Sequence, residues 1–171
     1  MRRLSIATSL RLALPSTLLL LAACAPAPIY QTSTDTVTAM PYQVAQSPEN
    51  FSQRAVVWGG QIVHAQVFAD HSEIELLAYP LDKSQRPKAN DSGNGRFIAI
   101  LPGYAEPLSY PAGALMTVAG QLGGSRAGKV GEASYVFPLV NVSQSHVWTA
   151  DEMQKGRNNV HFGVGLGVGI H

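Results

Sequence analysis

Between residues 55 and 148, apolar side chains alternate with polar or small ones or gather in short runs, without a sustained 3.6-residue period. That pattern predicts strands rather than helices. Ala55–Ala69 (AVVWGGQIVHAQVFA) is rich in β-branched and aromatic residues, and its Gly59-Gly60 pair predicts a bulge or coil that bends the strand. Asp70-His71-Ser72 reads as a hairpin turn into a second strand, Glu73–Tyr79. A polar loop from Pro80 to Asn94 leads to a third strand, Arg96–Leu101, stopped by Pro102-Gly103. Pro107 and Pro111 exclude a long helix or central strand over Tyr104–Gly113. Ala114–Leu122 predicts a fourth strand, and Ser134–Trp148 a fifth with room for a sixth, Pro138 marking an edge or bend. Five or six strands, one bent at glycines, predict an all-β fold. The expected form is a small closed or partly open barrel, OB-like, because closure removes exposed sheet edges. A five-stranded sandwich fits the same pattern.

The flanks differ. Residues 24–46 are rich in Ala, Pro, Thr, Ser and Gln with little apolar periodicity, and read as a flexible tether with an r.m.s. span of about 25–30 Å. Ser47-Pro48-Glu49-Asn50-Phe51 predicts a short helical turn with Ser47 as its cap. Asp151–Asn159 is polar and opens with a helical turn, and His161–His171 alternates glycine with aliphatics. The expected divisions are 1–23 export signal, 24–46 tether, 47–150 barrel and 151–171 tail.

Residues 1–23 carry Arg2, Arg3 and Arg11, then an apolar segment ending Leu18-Leu19-Leu20-Leu21, with no acidic residue before Asp35. The apolar segment is interrupted by Pro15 and is too short to span a bilayer. Leu21-Ala22-Ala23-Cys24 has the form of a lipoprotein signal-peptidase site, with cleavage between Ala23 and Cys24. A thiol is required there because it forms the thioether to the lipid. An ordinary secretory cut after Ala25 or Ala27 would place Pro26 or Pro28 just beyond the scissile bond, where proline blocks cleavage. Two or more acyl chains on Cys24 make membrane attachment stable, at about 0.8 kcal/mol per buried CH₂. Ala25 follows the cysteine; Asp there retains such proteins in the inner membrane, so Ala25 favours the outer one.

Removing the signal changes the charge. The chain has 12 Lys and Arg against 11 Asp and Glu; without the three signal arginines 9 remain, so the net charge is 9 − 11 = −2. A near-neutral, slightly acidic chain lacks the basic face that nucleic acid needs. Apolar residues make up 46% of the chain, enough for a core. Cys24 is the single cysteine, so acylation leaves no thiol for a disulfide and the fold rests on packing.

Candidate chemistry is sparse. Gly123–Lys129 (GGSRAGK) matches P-loop spacing up to its lysine, but Val130 stands where a Mg²⁺-binding hydroxyl belongs and no helix follows. A glycine-rich hairpin loop is the expectation. The five histidines include no i, i+4 pair; His64 and His71 could meet across the first hairpin, with Glu73 nearby, as a ligand or metal site. Ser145 and His146 are adjacent without a nucleophile elbow, so a hydrolase triad is disfavoured. Glu73 and Glu75 share a strand face, expected to be solvated. Most aromatics are expected in the core, whereas Tyr104 and Tyr110, in the proline-rich loop, are candidates for a recognition surface.

Several stretches together resemble a known family. Trp58-Gly59-Gly60-Gln61-Ile62, Leu77-Ala78-Tyr79-Pro80-Leu81-Asp82, Gly95-Arg96-Phe97, Pro102-Gly103-Tyr104 with Pro107-Leu108, Thr117-Val118-Ala119-Gly120 and Lys129-Val130-Gly131-Glu132 with Tyr135–Val140 occur in order, ending near Trp148. Over about residues 47–148, with the lipidation site, the chain resembles the Slp family of outer-membrane lipoproteins, named for starvation-inducible members of enteric bacteria. The resemblance implies an outer-membrane lipoprotein linked to starvation or envelope stress, without enzymatic activity or cofactor. The expected partners are the membrane, through acyl chains on Cys24, and an envelope protein. The alternative is a small-ligand or metal-binding lipoprotein using His64 and His71.

Overall fold

The computed structural model describes residues 27–154. Five strands, β1 (Ala55–Val67), β2 (His71–Tyr79), β3 (Arg96–Pro102), β4 (Leu115–Val130) and β5 (Ala133–Trp148), close into a barrel in the order β1-β2-β3-β5-β4. β3 and β5 run parallel at Ile98↔Leu139, and the other pairs are antiparallel. Of the closed or partly open OB-like barrel of five or six strands that the sequence predicts, the closed five-stranded form is the one observed.

Closure depends on β1, which pairs with β2 and β4 at once. Gly59, Gly60 and Gln61 face Tyr79, Ala78 and Leu77 on one side and Thr117, Met116 and Leu115 on the other. A Cβ on Gly60 would run into the Leu77 carbonyl, so the glycine is needed for close backbone approach where the sheet curls. The bulge itself lies further on, between Ile62 and His64. Inside, Trp58 meets Phe97 edge to face at 5.2 Å, and Ile74, Leu76, Met116, Val118 and Val140 are buried around them.

β4 and β5 are each 16 residues long. Beyond the barrel, Ser125–Val130 pairs with Pro138–Ala133 as a projecting arm, reversed at Gly131 with φ 59°. Gly123–Lys129 is therefore strand, not a hairpin loop: the β5 ladder outweighs the weak strand propensity of glycine. Nor does Ser134–Trp148 divide into two strands. It is one strand, with Pro138 where the arm passes into the barrel wall.

Two turns are also displaced. Phe68 N–H bonds to His71 O at 2.8 Å, so the reversal is Phe68–Asp70 and His71 already belongs to β2. A 3-10 turn forms at Pro48–Phe51, but Ser47 makes no side-chain capping bond.

The largest departure concerns the N-terminal segment. From Tyr30 to Gln46 it is not a free tether but a strap across the barrel. Val37 N–H donates to Ala55 O at 2.8 Å, the Trp58 indole N–H donates to Ala39 O at 3.0 Å, and α1 (Pro41–Gln46) inserts Val44 into the core. The apolar residues that do this are too widely spaced to register as a periodic element. A second short helix, α2 (Ala150–Gln154), follows β5. It is started by a capping box, in which the Glu152 carboxylate accepts from Thr149 N and Oγ1 at 2.8 and 2.9 Å. The glycine-alternating stretch from His161 lies outside the described residues.

Candidate functional site

The histidine hairpin does not assemble. His64 is exposed and stands opposite Glu75, whereas His71 begins β2 beside Pro102. Four ladder positions, about 13 Å at strand rise, separate the two. Among the described residues no three His, Cys, Asp or Glu side chains are grouped to hold a metal ion. Ser145 and His146, as strand neighbours, point to opposite faces. His146 serves α2 instead, bonding to Glu152 at 3.1 Å.

His71 joins a different cluster. Its Nδ1 lies 2.7 Å from Asp70 Oδ1, its Nε2 lies 3.2 Å from Glu73 Oε1, and Phe68 stacks on the ring at 4.7 Å. Glu73, only 8% exposed, accepts both Arg126 Nη1 and Nη2 at 2.6 Å. This bidentate pair fastens the arm to the outer face of β2. Glu75 is closed by Arg96 at 2.5 Å. The two glutamates thus share a face, as the alternation requires; Glu73 is buried and Glu75 partly exposed, and each is held in an ion pair with an arginine. The Arg126 hydrogen bonds hold the Glu73 carboxyl below its ordinary range, and the bond to Asp70, then that to Glu73, raises the His71 imidazole.

Tyr104 and Tyr110 do come together. The β3–β4 loop is fixed by buried Ser72, whose Oγ donates to Gly103 O at 3.0 Å and accepts from Ala105 N at 2.9 Å. Both tyrosines line a cleft of about 320 Å³ with Leu101, Ser143 and Gln144. Tyr104 is 70% exposed and donates to Glu106 Oε2 at 2.9 Å; Tyr110 is half-buried against the core.

A second cleft, of about 270 Å³, lies between the strap and the barrel. Its walls are Thr32, Thr36–Thr38, Met40 and Pro41 of the strap, Val57–Gly59 of β1, the end of β2, and Leu81 and Gln85. The strap is locked beside it by a buried polar chain invisible to sequence patterning. Trp148 Nε1 donates to Thr117 Oγ1 at 2.9 Å, and that hydroxyl donates to Gln85 O at 2.7 Å. The Gln85 amide then clamps both backbone groups of Tyr30, at 2.7 and 2.9 Å. Gln85 adopts φ 65° to do so. Burial pushes the Tyr30 phenol up to about 12.

Ala23 and Cys24 lie outside the described residues. Cys24 is six residues before Tyr30, so its Cα can stand at most about 21 Å from the clamp.

The model of the outer membrane lipoprotein Slp family matches residues 21–164, from Leu21 of the lipidation motif through the whole barrel. The chain belongs to that Slp family. Slp-family membership makes it an outer membrane lipoprotein by family. An uncharacterized protein of Haemophilus influenzae is 35% identical over 97 residues, covering 56% of this chain and 52% of its own. The uncharacterized lipoprotein YeaY of Escherichia coli K12 is 28% identical over 106 residues, or 62% and 54% of the two chains. The outer membrane protein Slp of the same strain is 25% identical over 96 residues, or 56% and 50%. The chain thus spans about half the length of the curated relatives it matches. No solved structure matches it at a significant level.

Proposed function

We propose that this Slp-family lipoprotein faces the periplasm and is held to the outer membrane by acyl chains on Cys24. Its barrel acts as a non-catalytic binding module in starvation or envelope stress. The observation that carries this reading is the Tyr30–Gln85 clamp. With at most about 21 Å between the anchor and the clamp, the domain stays at the membrane surface rather than hanging from a long tether. Ala25 after the lipidated cysteine favours the outer membrane, and the starvation association follows the family resemblance. The β3–β4 loop with Tyr104 and Tyr110 is the surface we assign to an envelope partner, because it presents an aromatic side chain from a fixed backbone.

Fractionation of wild type and Cys24→Ala, with intact mass and protease treatment of whole and permeabilised cells, tests the reading. Lipid on Cys24, sedimentation with outer membrane lost in Cys24→Ala, and cleavage only after permeabilisation are expected. An unlipidated, soluble wild type would overturn the anchor. Cleavage in whole cells would overturn the orientation.

A further inference from the structure

The cleft between strap and barrel has the chemistry of a lipid-chain site. Its floor and walls include Val37, Met40, Pro41, Val57, Trp58 and Leu81, and among the described residues no Asp, Glu, Lys, Arg or His lines it. Its strongest polar groups are already engaged. The Gln85 amide is spent on Tyr30, and the Trp58 N–H on Ala39 O. What remains toward the cleft is aliphatic and aromatic surface with the hydroxyls of three threonines and Tyr79. An anionic or cationic ligand would find no counter-charge there, and a neutral apolar chain would lose nothing by entering.

Size and position narrow the class. A cleft of about 270 Å³ falls just short of the roughly 300–1,000 Å³ that takes a whole drug-sized ligand, so it suits a segment of one acyl chain. Thr32, at its edge, is eight residues from Cys24, so on the lipidated reading the cleft lies within about 28 Å of the anchor. Tethering there keeps lipid chains at high local concentration.

We propose that this cleft binds part of a single acyl chain, supplied by the bilayer to which Cys24 holds the domain. The site rests on that anchoring reading for its source of ligand, but not for its chemistry. The strap forms one wall, so acyl binding and strap packing support each other: a chain in the cleft contacts both the strap and β1, and release of the strap opens the site.

The test uses the full chain in a Trp148→Phe background, so that Trp58, 4% exposed, is the remaining indole. Because Trp148 Nε1 belongs to the polar chain beside the strap, amide exchange at Tyr30 is first matched to wild type; where it differs, the titration is run on wild type against Trp58→Phe instead. In the lipid-free Cys24→Ala form, 11-bromoundecan-1-ol is titrated, its bromine quenching indole only on contact. Saturable quenching of at least half the Trp58 emission is expected, weakened tenfold or more by Val57→Phe, which fills the floor. Should Val57→Phe unfold the barrel, Leu81→Phe takes its place. Quenching that fails to saturate, or that a folded filling variant leaves unchanged, overturns the site. The lipidated protein is then placed in vesicles of phosphatidylcholine brominated along its acyl chains. Quenching of Trp58 there supports bilayer supply. Its absence beside a positive bromoundecanol titration overturns that source and leaves the chains on Cys24 itself. If intact mass shows no lipid on Cys24, the anchoring reading fails while the bromoundecanol arm still decides the cleft.

Discussion

The side chain of Gln85 and the backbone of Tyr30 close a two-bond ring. Tyr30 N–H donates to Gln85 Oε1 at 2.7 Å, and Gln85 Nε2 donates to Tyr30 O at 2.9 Å. The residues are 55 apart in sequence, and both are buried. This contact turns the N-terminal segment into a strap.

Gln85→Ala removes both bonds and leaves the Tyr30 backbone groups buried without partners. The expected loss is about 1–3 kcal/mol, a fall of several degrees in Tm. Amide exchange at Tyr30 should quicken more than exchange in the β1–β4 ladder. Unchanged exchange at Tyr30 would show that the strap is held elsewhere.

Thr117→Val is nearly isosteric but breaks the polar chain at its centre, orphaning Trp148 Nε1 and Gln85 O. Thr117 is fully buried, so water does not replace the hydroxyl. A loss of about 1–3 kcal/mol is expected by chemical denaturation, with Thr117→Ser recovering part of it. Equal stability of the valine and serine variants would remove the hydroxyl's role.

Gly60→Ala places a methyl against the Leu77 carbonyl, a backbone atom held in the ladder. Relief requires moving β1 away from β2, with an expected cost of about 3 kcal/mol or more. Gly103→Ala serves as contrast: nothing lies within 4 Å of its Cβ, and its φ of 72° supplies the strain, so the cost should be about 1 kcal/mol. A Gly60→Ala protein as stable as Gly103→Ala would refute the close-approach account.

The His71 cluster makes the tie between arm and barrel depend on pH, with opposite signs from its two sides. His71 titrates above its ordinary 6.5 through Asp70 and then Glu73. Its contribution is therefore complete below about 6.5 and fades as pH rises through the higher folded value. Glu73 is lowered from 4.5, chiefly by Arg126. Its contribution is complete above about 4.5 and fades as pH falls through the lower folded value. Both are present between about 4.5 and 6.5. In an NMR titration the His71 ring should show a midpoint above 6.5, falling in Asp70→Asn and in Glu73→Gln. A midpoint at or below 6.5 in the wild type would sink the assignment.

Much of the barrel was legible in the chain because strand signals are local. Val56, Trp58, Ile74, Leu76 and Phe97 alternate with outward residues at a period of two, which marks a face before any partner is known. The glycine pair in β1 announced a bend, but its cause, the Leu77 carbonyl across the ladder, is a contact between strands that no single strand encodes. The arm was misread for the converse reason. Gly123, Gly124 and Gly128 are poor strand formers; the ladder to β5 holds Gly128 opposite Tyr135 and carries Gly123 and Gly124 as a bulge between Leu122 and Ser125. The candidate sites divide in the same way. Tyr104 and Tyr110 share a short loop, so their common cleft was within reach of local reasoning. His64 and His71 depended on ladder register, which set them apart.

By itself, then, the sequence determined the all-β class, with five or six strands, and the resemblance to the Slp family, and it predicted an export signal and a lipidation site at Cys24, because each is written in short-range order. Tertiary structure alone decided where the segment after the anchor goes. A strap is held by contacts across the chain: Val37 on Ala55, Ala39 on Trp58, Tyr30 on Gln85. Its composition is that of a linker, and its order comes from polar groups and single apolar side chains that find partners only once the barrel has closed.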